Sequence, residues 1–98
     1  MDTVSVDAYV LEVLMPDLVG HDHRPSAFLV LLHLWRKTRG GRVQVTASLQ
    51  MIAESTGLSK RAAQTAITHL EGRRLISVRR KTATSAPAFT LRCDWRGR

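Results

Sequence analysis

The sequence predicts a mainly α-helical domain that ends in a small β-hairpin. Two segments, Val4 to Met15 and Pro25 to about Thr38, space their apolar residues at helical intervals, and a third, from Ser48 to Leu70, reads as two capped helices around a glycine. Alternation with a period of two takes over after Leu75. Ninety-eight residues suit one small domain, and 44% hydrophobic with 23% charged residues is ordinary globular composition. The longest apolar run, Ala27 to Leu32, falls far short of the roughly 20 residues a membrane span needs. The acidic start Met1-Asp2-Thr3 is unlike a secretory signal, and the single Cys93 cannot form an internal disulfide. A reducing cytoplasm is the expected setting, with no membrane partner.

In the first segment, wheel angles of about 100° per residue put Val6, Tyr9, Val10 and Val13 on one stripe and Ala8, Leu11 and Met15 on another, so the helix has two apolar faces. Pro16 is expected to stop it, and Val19 to Arg24, which lacks a period, is expected to be a loop. Pro25, with Ser26 as a candidate cap, opens the second helix, and Gly40-Gly41 closes it. Phe28, Leu29, Leu31, Leu32, Leu34 and Trp35 cover most of its circumference, which marks it as the central element. Val43-Gln44-Val45 alternates as a short edge strand would.

Ser48 is placed to cap a helix through Thr56, with Leu49, Ile52 and Ala53 on its inner face. Gly57 turns the chain, and Ser59 can cap a further helix whose inner face is Ala63, Ala66, Ile67 and Leu70. Small alanines suit two helices that cross closely at a short turn. Leu75 to Val78 and Ala88 to Cys93 then form the hairpin, with Ile76, Val78, Phe89, Leu91 and Cys93 facing inward and Arg79-Arg80-Lys81 leading to its tip.

Charge is distributed unevenly along this plan. Up to Trp35 the net charge is −4, whereas from Arg36 onward it is +11, far more than solubility requires, and a polyanion is the matching partner. The helix after Ser59 turns Lys60, Arg61, Gln64, Thr65, Thr68 and His69 away from its alanines, and Arg and Gln can each make paired hydrogen bonds to base edges.

From Pro25 to Cys93 the sequence resembles the winged helix-turn-helix family of bacterial DNA-binding domains. The resemblance rests on Ile52-Ala53-Glu54-Ser55-Thr56-Gly57-Leu58-Ser59-Lys60-Arg61, then Gln64, Ile67, Leu70-Glu71 and Leu75-Ile76 before a hairpin. It implies a recognition helix of about Lys60 to Arg73, with Ser59 and Lys60 near phosphate and Arg61, Gln64, Thr65 and Thr68 turned toward bases. It also implies a wing that lays Arg79, Arg80 and Lys81 along the DNA backbone. Two positions depart from the family pattern: Arg74 stands where a glycine usually precedes the Leu-Ile pair, and Ala62-Ala63 replace a threonine and a larger aliphatic residue.

His21-Asp22-His23 is half a metal site, with His33, His69 and Cys93 elsewhere, but no complete ligand motif is present, so no metal is assigned. No phosphate loop or nucleophile motif marks an enzyme, and no cofactor is implied. The reading is therefore an N-terminal helix and loop, residues 1–24, acting as a dimerisation segment, followed by a DNA-binding domain at 25–98. The expected function is sequence-specific binding of double-stranded DNA as a homodimeric transcriptional regulator. The alternatives are a protein-docking or replication and mobile-element accessory module, and a binder of structured RNA. A-form RNA does not admit a helix to its major groove, so duplex competition separates the last of these.

Overall fold

The computed structural model describes residues 2–97. Helix α1 (Pro25–Lys37) is its central element, burying Ala27, Phe28, Val30, Leu31, Leu34 and Trp35. Leu29, expected inward, lies on the outer side and is exposed. Pro25 is itself the first helical residue, where its missing N–H costs nothing, so Ser26 sits inside the first turn rather than capping it. At the other end the buried Thr38 donates from Oγ1 to the Leu34 carbonyl at 2.7 Å and accepts from the Gly41 amide at 3.0 Å. Gly40 and Gly41 follow with φ of +67° and +84°.

The N-terminal helix runs through Pro16 instead of ending there. It contains two wide-turn stretches, Val10–Leu14 and Asp17–His21, in which amides bond five residues back, as Asp22 does to Asp17 at 2.9 Å. A wider turn relieves the clash between the proline ring and the preceding turn, and it carries the helix over Val19 to His21, which reads as loop in the sequence. Helix starts at Ala8, and one stripe, Val10, Leu14 and Leu18, is buried in the same core as α1. Leu11, Met15 and Val19, spaced at intervals of four, stay exposed.

Helix α2 (Leu49–Thr56) and helix α3 (Lys60–Gly72) form the helix-turn-helix. Both caps are made as their serines require: Ser48 Oγ accepts from the Met51 amide at 3.1 Å and Ser59 Oγ from the Ala62 amide at 3.0 Å. Gly57 takes φ +77°, which lets the Leu58 amide return to the Ala53 carbonyl at 3.1 Å and point its side chain into the crossing. Ile52, Ala53, Ala63, Ala66, Ile67 and Leu70 are buried between these helices and α1.

Strand β2 (Ile76–Arg79) pairs antiparallel with β3 (Ala88–Leu91), and β1 (Val45–Thr46) joins the other side of β3, giving the order β1-β3-β2. This is a winged helix-turn-helix with an additional N-terminal helix. The first strand lies two residues later than its alternation suggests, because Thr46 and Val45 face Ala88 and Phe89 while Val43 is exposed. Likewise β3 ends at Leu91, so Cys93 lies beyond the sheet, half-buried with its Sγ against Gly41. The turn Asp94–Gly97 then brings Trp95 onto Tyr9, with ring centroids 4.7 Å apart.

Where the family pattern has a glycine, Arg74 has φ +60°. Helix α3 ends on schedule at Gly72, and the substitution shows up as backbone strain rather than as a displaced end. Arg74→Gly should therefore raise stability by about 0.5–1 kcal/mol, since a left-handed conformation costs L-residues roughly 1–2 kcal/mol and glycine's greater unfolded-state freedom offsets part of that. Chemical denaturation would detect it, and a lower midpoint would mean that the Arg74 side chain holds more than its backbone costs.

Candidate nucleic-acid interface

The outer face of α3 and the arm of the wing make up the candidate surface. Lys60, Arg61, Gln64, Thr65 and Thr68 are exposed along α3, opposite Ala63, Ala66, Ile67 and Leu70. Ser59, at the positive end of the helix dipole, is exposed as well, and free amides at such an end favour phosphate. Across a groove from α3 stands Arg80, with Arg79 and Lys81 next to it in the chain, all three exposed. The groove is lined by Gln64, Ile67 and Glu71 from the helix and by Val78, Arg80 and Pro87 from the wing. Arg80 therefore lies on the side of the wing that faces α3, and its NH1 donates to the Ser85 carbonyl at 3.3 Å across the wing tip. Gln64 Nε2 donates to Thr68 Oγ1 at 3.2 Å, an exposed bond that a base edge can replace.

Among the described residues Lys60, Arg61, Arg79, Arg80 and Lys81 have no acidic partner. Four of the five acids of the N-terminal segment, all but the exposed Glu12, are occupied elsewhere. Asp7 takes Arg96 Nε at 2.7 Å and Trp95 Nε1 at 3.0 Å, while Asp2 takes Arg36 at 3.4 Å. Asp17 binds the Arg73 guanidinium, and Asp22 accepts from His69 Nε2 at 2.8 Å and Arg73 Nε at 3.2 Å. Among the described residues, the uneven charge of the sequence is thus partly paired off at the C-terminal end of α3, at the end of α1 and in the C-terminal turn, and left without ion pairs along the front of α3 and on the wing arm.

Arg24 was not among the residues that sequence reasoning placed here. It lies beside Gln64, Thr65, Thr68 and His69 in a shallow depression, at the point where the N-terminal segment meets the face of α3. Its one available signal was its position as the only basic residue before α1, directly ahead of Pro25.

The paired histidines do not converge. His21 Nδ1 bonds Asp22 at 2.8 Å and approaches Asp17 at 3.9 Å, whereas His23 turns away with φ +54° toward Pro25 and Thr65. Asp17, His21 and Asp22 bring one ligand atom each within 4.8 Å of one another, but Arg73 already bonds both carboxylates, so a metal ion would have to displace a positive charge. Burial pushes the Cys93 thiol up, which makes it a poor thiolate ligand.

His21 and His69 hold the Asp22 carboxyl down to about 2, and Asp22 in turn raises His21 above its ordinary 6.5. A carboxylate with a depressed pKa contributes stability that is complete above about pH 4 and lost as pH falls toward 2; the His21 contribution is complete below pH 6.5 and lost above its raised value. Thermal unfolding of the wild type should therefore fall steeply between pH 4 and 2, and Asp22→Asn should flatten that fall. Parallel acid profiles would show that the cluster does not couple to folding.

Residues 24–76 match the model of a family described as a helix-turn-helix domain, which covers just over half of the chain and takes in α1 through the start of β2. The chain belongs to the helix-turn-helix domain family. Domains of this family bind DNA, placing the second helix of the motif in the major groove. In this helix-turn-helix protein that element is α3, and the wing arm after Ile76 lies outside the matched span. Comparisons with curated proteins and with solved structures found no match. Among the described residues no helix is long and apolar enough to cross a membrane.

Proposed function

We propose that the protein binds double-stranded DNA sequence-specifically as a homodimeric transcriptional regulator, acting by binding and not by catalysis, in the cytoplasm. The observation that carries this reading is the set of exposed cations without ion pairs among the described residues, Lys60, Arg61, Arg79, Arg80 and Lys81, flanking the uncharged polar strip Gln64, Thr65 and Thr68. Such a layout separates gripping from reading, because phosphate contacts fix position and base-edge contacts carry sequence information. Ser59 and Lys60 meet phosphate at the start of α3; Arg61, Gln64, Thr65 and Thr68 face bases; the wing arm tracks the backbone. Residues 25–98 form the DNA-binding unit, and the outer stripe of the helix within residues 1–24, Leu11, Met15 and Val19, is the dimer contact. Two recognition helices related by a twofold axis would read an inverted repeat with half-sites about one helical turn apart.

Binding-site selection from a random duplex pool tests the division of labour. Gln64→Ala should change the preferred base at one position per half-site, a loss of about 1–3 kcal/mol of discrimination. Arg80→Ala should weaken all sequences alike and lower the salt slope by about one unit. Its place in the groove beside Gln64 makes the outcome a strict one. A motif altered mainly by Arg80→Ala would move base reading from the helix to the wing.

A further inference from the structure

At the base of the sheet, remote from the wing tip, a cavity of about 270 Å³ opens between the N-terminal segment, the end of α1 and the C-terminal turn. Its position follows from the register. Thr46 faces Ala88 near the wing tip, so the chain before Val45 runs the other way, to where Gly41 lies against Leu91 and Cys93. Four arginines line the cavity, Arg36, Arg39, Arg42 and Arg96, with Asp7 as the acid among the lining residues.

The charges there are far from balanced. Asp7 is taken up by Arg96 and Trp95, and Arg36 has only the exposed Asp2 at 3.4 Å. Arg39 and Arg42 have no acidic partner among the described residues. Arg96 is held rigidly, with Nε on Asp7 at 2.7 Å, NH1 on the Gly40 carbonyl at 2.6 Å and the guanidinium 5.1 Å from the centre of the Trp35 ring. Arg39 has φ +53°, a conformation costly for any residue but glycine, and it is followed by two glycines that also take positive φ. Close contacts with Trp35 and Cys93 leave no room for a Cβ at 40 and 41, so Arg39 is the residue of this left-handed stretch that carries a side chain, exposed at the cavity.

We propose that this cavity is an anion site for a small phosphate-bearing ligand, separate from the duplex-binding face. Guanidinium forks match phosphate oxygens in pairs, and several forks around one space suit a group with at least three acceptor oxygens better than a single carboxylate. The volume lies near the lower end of small-ligand pockets, which fits a pyrophosphate or a compact phosphate ester.

The test titrates inorganic pyrophosphate, and separately a nucleoside monophosphate, into the full chain at constant ionic strength, followed by calorimetry and thermal unfolding. Pyrophosphate should raise the midpoint in a concentration-dependent way. Arg39→Gly, which relieves the strained backbone while removing the charge, and Arg42→Ala should each weaken it about tenfold. Lys81→Ala on the wing should leave pyrophosphate binding unchanged, and Arg39→Gly should leave duplex affinity unchanged. Preference for the monophosphate would identify a nucleotide as the source of the phosphate, and preference for pyrophosphate an inorganic one. No binding at millimolar concentrations overturns the proposal, as does equal weakening by Lys81→Ala, which would mean diffuse attraction to a basic protein. So does a loss of duplex affinity in Arg42→Ala larger than its loss for pyrophosphate, which would assign the cavity to the DNA track.

Discussion

Raising monovalent salt from 50 to 200 mM should weaken duplex binding by roughly 150-fold per protomer engaged, because four neutralised phosphates give a log–log slope of about −3.6. The four cations are Lys60 at the start of α3 and Arg79, Arg80 and Lys81 on the wing, none of which forms an ion pair among the described residues; Arg61, which faces bases, is not counted. Arg73 is left out of the count although it lies just past α3, since Asp17 and Asp22 already occupy it. The same reasoning gives the effect of a triple Arg79→Ala, Arg80→Ala, Lys81→Ala variant, whose slope should shrink by about three units while its preferred sequence stays the same. Fluorescence anisotropy on a labelled duplex across a salt series measures both. A slope near zero, or no duplex binding at micromolar protein, would remove the DNA reading and leave the protein-docking alternative.

What was legible in the sequence divides along the range of the interactions. Ser48, Gly57 and Ser59 act on amides three to five residues away, so their chemistry alone places the ends of α2 and α3. The exposed strip Lys60, Arg61, Gln64, Thr65 and Thr68 follows from helical spacing once those ends are known. Pro16 misled because the rule that proline stops a helix assumes α geometry, and the wide turns on either side of it lift that assumption. Val43 alternates with Val45 but has no strand partner, its amide bonding the Thr38 carbonyl instead, because β1 is defined by Phe89 and Ala88 more than forty residues away. Nor does any local pattern announce that Asp22 will hold His69 and Arg73 or that Arg24 will stand beside Thr65 and Thr68, contacts that only the packing of the N-terminal helix against α1 and α3 creates. That the helix has two apolar faces was visible, yet the inner one was drawn on the wrong residues: Tyr9 and Val13 are exposed, the core stripe is Val10, Leu14 and Leu18, and the outer stripe of Leu11, Met15 and Val19 is bare.

Those two stripes lead to the contrast with the largest expected effect on stability. Leu14 is buried in the shared core, and Leu14→Ala should cost about 2–5 kcal/mol, much of the 5–15 kcal/mol that holds a domain of this kind together. Leu11, three residues earlier on the same helix, is exposed beside Met15, and Leu11→Glu with Met15→Glu should leave the monomer folded while abolishing the dimer. Truncating residues 1–18 cannot make this distinction, because it removes Val10, Leu14 and Leu18 from the core together with the outer stripe. Light scattering and thermal unfolding at two protein concentrations separate the cases. The wild type should be a dimer whose midpoint rises with concentration; the double glutamate variant should be a monomer with a concentration-independent midpoint; Leu14→Ala should melt far earlier at any concentration. A wild-type monomer at tens of micromolar, or a dimer that survives both glutamates, would mean that Leu11, Met15 and Val19 face solvent or some other partner. The inverted-repeat operator would lose its basis with them, since one recognition helix alone reads a single half-site.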